Sequence, residues 1–125
     1  MLKNIRNLDY VVLLCEEILP MKTFYHEILG FQIHRNDEGW VEMKVGATLL
    51  TLRKHGRPYD GAKLPNTAGV QLAFRVAPSE VADCYQELLA KDVPILDPPR
   101  DMEYGHRTLF FKDPEGNILE IYADI

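Results

Sequence analysis

The strongest constraint on this sequence is that its second half repeats the pattern of its first half. A shift of 61 residues aligns Tyr10 with Gln71, Cys15 with Val76, Phe24 with Tyr85 and Ile28 with Leu89. The two halves match in hydrophobic pattern more than in letters. Self-similarity at a fixed period indicates one supersecondary unit used twice, so each half is expected to fold in the same way.

The first half predicts a strand, a helix and three further strands. Residues 8–15 are β-branched and apolar, which is typical of a buried strand. A helix then begins at the acidic pair 16–17 and runs to about residue 29. Its predicted buried face consists of Met21, Phe24, Ile28 and Leu29. Gly30 ends the helix, and strands follow at 31–35, 40–45 and 47–54, with a turn at 36–39.

The second half repeats this order after a segment rich in Gly and Pro at residues 55–68. Residues 69–76 predict a strand, and Pro78 lies in the favoured first turn of a helix. The apolar stripe of that helix consists of Val81, Cys84, Tyr85, Leu88 and Leu89. A short strand at 93–96 and an extended loop at 97–100 precede a closing hairpin.

The closing hairpin is the clearest local signal in the chain. Two β-rich runs flank residues 113–117, in which Pro114 presets φ for a turn and Gly116 or Asn117 can adopt a positive φ. In the last strand, strict alternation places Ile118, Glu120 and Tyr122 on one face and Leu119 and Ile121 on the other. A carboxylate between two large apolar side chains predicts either an open sheet or a concave site.

These elements predict an α+β fold in a single domain spanning residues 1–125. Module one covers about 8–54, residues 55–68 form the linker, and module two covers about 69–125. Each βαβββ module buries one side of its sheet under its own helix. Paired modules would then form a curved, cup-like mixed β-sheet with the helices on the outer face.

Composition and charge argue against some classes of binding partner. The net charge of -5, without a basic patch, argues against nucleic acid. No apolar run approaches the about 20 residues that span a bilayer, and the N-terminus lacks the apolar core of a signal peptide. Cys15 and Cys84 are expected to be buried, reduced thiols. We therefore expect a cytoplasmic protein that binds neither nucleic acid nor membrane.

Three stretches resemble the vicinal oxygen chelate superfamily, which includes glyoxalase I, fosfomycin-resistance enzymes, extradiol dioxygenases and bleomycin-resistance proteins. They are Phe24-Tyr25 with residues 28–31, residues 71–76, and residues 113–117 leading to Glu120. The similarity covers essentially the whole chain in the same order. It indicates the fold strongly and the function weakly, because this superfamily hosts many activities.

The resemblance implies where a metal would bind. In metal-using members, ligands come from the first strand of each module and from the last strand, which here are Tyr10, Gln71 and Glu120, with a fourth candidate near Thr51. Only Glu120 is a usual ligand, because divalent transition metals prefer imidazole and carboxylate donors. We expect no cofactor, and leave open a divalent zinc, nickel, manganese or iron ion held by Glu120.

The predicted cup is apolar and aromatic with a few polar groups, which is typical of a small-molecule site. Tyr10, Gln71 and Glu120 would form a hydrogen-bonded cluster at its floor. The other predicted lining residues are Trp40, Arg75, Tyr104, His106, Phe110 and Tyr122. Arg75 and Arg107 could each bind a carboxylate or phosphate, but a surface position or an ion pair with a nearby Asp is favoured for both.

The sequence leaves three functions open. The first, which we favour, is a small-molecule binding protein similar to the bleomycin-resistance branch. The second is a lyase or isomerase of the glyoxalase type, with Glu120 as general base or metal ligand. The third is a module that associates with other proteins. Whether the chain is an enzyme stays open, and a homodimer is expected because pairing would bury short edge strands.

Overall fold

The computed structural model describes residues 1–64 and 67–125, which form two compact units, Met1–Ala62 and Lys63–Ile125. The boundary lies inside the segment 55–68. Pro65 and Asn66, which belong to the predicted linker, lie outside the described residues. Each unit has its own four-stranded mixed sheet and its own helix. The predicted α+β class with two βαβββ modules is therefore confirmed.

Unit 1 contains four strands and a short helix after a 3-10 turn at Leu2–Asn4. Its elements are β1 (Tyr10–Cys15), α1 (Ile18–Lys22), a π-helical segment (Thr23–Ile28), β2 (Gln32–Asp37), β3 (Trp40–Val45) and β4 (Thr48–Lys54). The strand order is β1-β4-β3-β2, with β1 parallel to β4 and the other pairs antiparallel. Alternate residues of β1, β3 and β4 are buried with the helix: Leu13, Cys15, Val41, Met43, Leu50 and Leu52.

Unit 2 repeats this topology. Its elements are β5 (Gln71–Arg75), α2 (Glu80–Ala90), β6 (Ile95–Asp101), β7 (His106–Lys112) and β8 (Ile118–Asp124). The strand order is β5-β8-β7-β6, and β5 runs parallel to β8. The buried core residues are Val81, Leu88, Leu109, Phe111, Leu119, Ile121 and Ala123. The predicted alternation of the last strand is confirmed, since Leu119 and Ile121 are buried while Glu120 and Tyr122 are half-buried.

The internal repeat extends to the strand register. Tyr10 lies opposite Leu49 in the parallel pair of unit 1, and Gln71 lies opposite Ile118 in that of unit 2. Two residues further along, Thr51 and Glu120 therefore occupy equivalent positions.

The first helix differs from its prediction. Only five residues are α-helical, and the chain continues as a π-helix in which Leu29 N donates to Phe24 O at 3.0 Å. Because a π turn contains more residues than an α turn, the buried face shifts. Met21, Phe24 and Tyr25 are buried, whereas Ile28 and Leu29 are half-buried. The predicted termination by Gly30 is confirmed by its φ of 80°.

Three smaller expectations in the strands and in α2 were wrong. Strand β2 extends to Asp37, so the turn is confined to residues 38–39. Strand β6 runs through the predicted loop 97–100, with register shifts on both sides of Asp97. Because β6 is an edge strand, its prolines remove no hydrogen bond from a second neighbour. Leu89 is 43% exposed rather than part of the buried stripe.

The hairpin turn at residues 113–117 forms as predicted. Gly116 has a φ of 89°, and its N–H donates to Asp113 O at 3.0 Å. Asp113 Oδ1 accepts from the backbone N–H groups of Glu115 at 2.9 Å and Asn117 at 3.1 Å. Asn117 Nδ2 donates to Asp113 Oδ2 at 2.8 Å, and Asn117 Oδ1 accepts from Gly69 N at 3.3 Å. This network holds the start of β8, and hence Glu120, beside β5.

The two cysteines are not joined in a disulfide. Cys15 is fully buried under the sheet of unit 1, while Cys84 on α2 is only half-buried, in contrast to the prediction that both are buried. Burial raises the pKa of the Cys84 thiol, and the nearby Glu87 carboxylate adds to the rise. In the part of the chain that the structure describes, no helix is long and apolar enough to cross a membrane.

Candidate functional site

Each unit has a sheet side opposite its buried core, which we call the site face of that unit. The site face of unit 1 consists of Tyr10, Val12, Leu14, Trp40, Glu42, Lys44, Leu49, Thr51 and Arg53. Five of these nine residues are hydrophobic or aromatic, yet only Thr51 and Arg53 are buried. A half-exposed apolar sheet side of this kind is typical of a surface that receives a ligand.

An aromatic pair and a carboxylate lie together on the site face of unit 1. The rings of Tyr10 and Trp40 lie 6.4 Å apart at an interplanar angle of 77°. Trp40 Nε1 donates to Glu42 Oε2 at 2.8 Å. Trp40, a predicted lining residue, lies on the opposite side of β3 from the buried residues Val41 and Met43. Glu42 was missed, although its alternation with Trp40 places it on the same face.

Thr51 is fully buried, and its hydroxyl has no hydrogen-bond partner among the described residues. Buried polar groups are usually paired, so an unpaired hydroxyl next to a half-exposed surface indicates a group that a ligand could satisfy. Thr51 lies opposite Glu42 in the antiparallel pair of β3 with β4. The position was predicted, but its buried, unpaired hydroxyl could not be read from the sequence.

A buried ion pair closes one end of the site face of unit 1. Arg53 Nη1 and Nη2 donate to Asp60 Oδ2 and Oδ1 at 2.9 and 2.7 Å, and the two side chains are only 10% and 2% exposed. Asp60 Oδ2 also accepts from the backbone N–H groups of Gly56 and Arg57. The Arg53 guanidinium, aided by these N–H groups, holds the pKa of Asp60 far below its usual range. The pair fixes the loop that follows β4.

The site face of unit 2 carries most of the predicted site residues. It consists of Gln71, Ala73, Arg75, His106, Thr108, Phe110, Ile118, Glu120, Tyr122 and Asp124. Gln71 Nε2 lies 3.5 Å from Glu120 Oε1, which is a long, weak contact. Phe110 lies opposite Glu120 in the register of β7 with β8. Thr108, like Thr51, is buried with a hydroxyl that has no partner among the described residues.

Four planar side chains form a continuous ladder at the other end of this face. The Arg75 guanidinium lies 5.0 Å above the Tyr122 ring, His106 lies 4.7 Å from Tyr122, and Tyr104 meets His106 edge-on at 5.3 Å. Asp124 pairs with Arg75 and lies 3.4 Å from His106 Nε2. This carboxylate raises the pKa of Arg75. The predicted site residues Tyr104, His106 and Tyr122 therefore lie together, next to the ion pair of Arg75 with Asp124.

Both arginines form the ion pairs that were favoured over anion binding. Arg75 pairs with Asp124, and both side chains are more than half exposed. Arg107 lies on the opposite side of β7 and pairs with Asp101 at 2.6 Å. Its guanidinium lowers the pKa of Asp101. Exposed pairs of this kind contribute little to stability.

The structure brings together two of the three residues of the predicted floor cluster. Gln71 and Glu120 are adjacent on the site face of unit 2, whereas Tyr10 belongs to unit 1. The meeting of all three residues in one cup stays a prediction, because it involves both units.

The residues present do not fit a transition-metal site. The equivalent positions hold a phenol and a hydroxyl in unit 1 (Tyr10, Thr51) and an amide and a carboxylate in unit 2 (Gln71, Glu120). Within residues 1–64 and 67–125, no three His, Cys, Asp or Glu side chains are grouped so that they could hold a metal ion. One carboxylate with neutral oxygen donors competes poorly with metal hydration.

Two mixed sheets of identical topology, each with its helix on one side, define a class of protein built from duplicated βαβββ units. The profile of the "Glyoxalase/Bleomycin resistance protein/Dioxygenase superfamily" matches residues 7–121. The chain belongs to this superfamily, which confirms the predicted resemblance.

Comparisons with individual proteins agree with this assignment. The virulence protein STM3117 of Salmonella typhimurium is 26% identical over 121 residues, covering 94% of this chain and 83% of that protein. A glyoxalase/bleomycin resistance protein/dioxygenase from Nocardioides has a TM-score of 0.84 at 22% identity, covering 98% of this chain and 85% of that one. A lactoylglutathione lyase from Agrobacterium tumefaciens has a TM-score of 0.78 at 18% identity, covering 96% and 95%. The two structures show the fold alone.

Proposed function

We propose that this protein binds a small organic molecule on its site faces and that it does so without a catalytic metal. The observation that carries this proposal is the set of side chains at the four positions where metal-using relatives place ligands. Tyr10, Thr51 and Gln71 contribute neutral oxygen or amide groups there, and Glu120 alone contributes charge. Half-buried aromatic residues line both faces, which supports binding by contact with ring surfaces.

Metal analysis tests the first part of the proposal. Protein purified without chelator is expected to contain zinc, nickel, manganese and iron at well below one ion per chain. A stoichiometric ion that survives dialysis would contradict the metal-free proposal. The triple variant Tyr10→His, Thr51→Glu, Gln71→His adds two imidazoles and one carboxylate, the donors that divalent transition metals prefer, so it serves as the positive control for metal retention.

Ligand binding tests the second part. Small aromatic and cationic molecules, screened by thermal shift, are expected to yield at least one compound whose stabilisation increases with its concentration. A screen in which no compound shifts the melting temperature would favour the remaining hypothesis, association with another protein. The expected homodimer is likewise a proposal, and light scattering across a range of protein concentrations would test it.

A lyase or isomerase that uses Glu120 is the second candidate function. It is favoured by the weak contact of the Glu120 carboxylate, whose partner Gln71 lies at 3.5 Å, so the carboxylate is able to accept a proton from a substrate. Glu120→Gln separates the candidates. Loss of turnover with retained ligand affinity would support catalysis, whereas reduced affinity with no turnover in either protein would support binding. Formation of lactoylglutathione, with and without added metal, is the first activity to assay.

A further inference from the structure

The Tyr10 and Trp40 rings form a corner on the site face of unit 1. Their planes meet at 77° with centroids 6.4 Å apart, so the two π surfaces form adjoining walls. Tyr10 is 50% exposed and Trp40 is half-buried, which leaves the corner open to solvent. The face of an aromatic ring is electron-rich and attracts cations, and tryptophan attracts them most strongly.

A carboxylate lies at the edge of this corner. Glu42 Oε2 accepts a hydrogen bond from Trp40 Nε1 at 2.8 Å, which holds the carboxylate beside the indole ring. Among the described residues, no Lys, Arg or His nitrogen lies within 4.0 Å of the Glu42 carboxylate. Arg53 on this face is bonded to Asp60, and Arg35, which lies opposite Glu42 in the pair of β2 with β3, is paired with Asp37. In the described part of the chain, the Glu42 carboxylate therefore has no counterion within contact distance.

The buried hydroxyl of Thr51 adds an independent observation. Thr51 lies opposite Glu42 in the strand register and is 0% exposed, with no hydrogen-bond partner for its hydroxyl in the described part of the chain. An unpaired buried polar group is costly unless something satisfies it. A ligand that carries both a cationic group and a polar group could contact the corner and this hydroxyl together.

We propose that Tyr10, Trp40 and Glu42 form a binding site for an organic ammonium group, with quaternary ammonium as the best-suited chemistry. Two aromatic walls and one carboxylate suit a bulky, weakly hydrated cation, whereas a hard metal ion needs several oxygen ligands. A neutral aromatic ligand would gain no attraction from the charge of Glu42, and that charge would repel an anion. This inference rests on the proposed small-molecule binding, and it names the class of ligand.

Trp40 provides the readout, because it is the single tryptophan of the chain. Choline is the probe, and 3,3-dimethylbutan-1-ol is its neutral counterpart of the same shape. Titration at constant ionic strength is expected to change the Trp40 fluorescence saturably with choline, at concentrations at least about 10-fold lower than with the alcohol. Equal, non-saturating responses to both compounds would overturn the proposal.

Variants test the individual contacts. Glu42→Gln keeps an acceptor for the Trp40 N–H but removes the charge, and is expected to weaken choline binding by about 10-fold or more. Tyr10→Leu removes one wall and is expected to act in the same direction. The matched control is Glu38→Gln, since Glu38 is an exposed turn residue on the same unit, and it should leave the affinity unchanged. Undiminished affinity in Glu42→Gln with an unaltered melting temperature would contradict the site.

The same experiments separate this inference from the proposed function. If neutral compounds stabilise the protein in the thermal-shift screen while choline leaves the Trp40 fluorescence unchanged, the ammonium site is wrong and small-molecule binding stands. If neither neutral nor cationic compounds bind, both proposals fail.

Discussion

The two units of this protein share one frame and differ in the chemistry placed on it. Equivalent strand positions hold Thr51 in unit 1 and Glu120 in unit 2. On the adjacent strands, β3 in unit 1 and β7 in unit 2, Glu42 occupies the position equivalent to Phe110, and Trp40 the position equivalent to Thr108. Each site face thus has a carboxylate and a buried threonine hydroxyl, but on exchanged strands.

This difference indicates that the fold depends on the helix-facing side of each sheet more than on the site face. The helix-facing side is filled by fully buried aliphatic and aromatic residues in both units, and a change there leaves a cavity. The opposite side is half-buried, so its residues can change without loss of the core. Two ligand environments can therefore be built on one repeated unit.

The largest losses of stability are expected from substitutions in the buried cores, where the two units are alike. Leu52→Ala in unit 1 and Leu119→Ala in unit 2 each remove a fully buried side chain, and each should lower the free energy of unfolding by about 2–5 kcal/mol. Urea denaturation measures this loss. Leu89→Ala, at a 43% exposed position, is the control and should change stability by no more than about 0.5 kcal/mol. A marked difference between the two core variants would break the equivalence of the units.

The turn between the last two strands of each unit should contribute to stability through a polar side chain in unit 2 but not in unit 1. In unit 2, Asn117 is buried and bonded to Asp113 and to the backbone of Gly69, so Asn117→Ala should cost about 1–3 kcal/mol, because the buried Asp113 loses a donor. The corresponding turn of unit 1, Gly46-Ala47, has no polar side chain to remove. Exposed Asn36→Ala is the control. If both asparagine variants unfold at the same urea concentration, the network does not brace the hairpin.

The buried Arg53–Asp60 pair of unit 1 should make the stability of the protein depend on pH in acid. Because the pKa of Asp60 is lower in the folded than in the unfolded protein, its pairing with Arg53 stabilises the fold above the ordinary carboxyl pKa of about 3.9. That stabilisation is lost as the pH falls through the folded pKa. The stability difference between the wild type and Asp60→Asn should be constant from about pH 7 to pH 5 and shrink below about pH 4.

The exposed pair of unit 2 provides the comparison. Asp124→Asn removes the partner of Arg75, where both side chains are more than half exposed, and it should lower stability less than Asp60→Asn because solvent screens the charges. Equal losses from the two variants would show that burial of the Arg53–Asp60 pair has no energetic consequence.

Much of this architecture could be predicted from local patterns. Alternation in residues 118–122 predicted which side of β8 is buried, and the turn at Gly116 formed as expected, because these features depend on neighbours in sequence. The π-helical segment could not be predicted, since it buries Phe24 and Tyr25 in the tertiary structure in place of the predicted Ile28 and Leu29. The prolines of β6 suggested a loop, and only their edge position made a strand acceptable.

The sequence by itself determined the duplicated unit and the order of its elements along the chain, because periodicity and turn residues act over short distances. The resemblance to the superfamily added the positions where metal-using relatives hold ligands, and the strand order within each sheet came from the structure. Only the tertiary structure decided which polar groups meet. The ring contact of Tyr10 with Trp40, the burial of the Thr51 and Thr108 hydroxyls, and the bond of Arg53 to Asp60 arise between separate strands and loops. Side-chain partners across a sheet depend on register and burial, which no single stretch of sequence encodes.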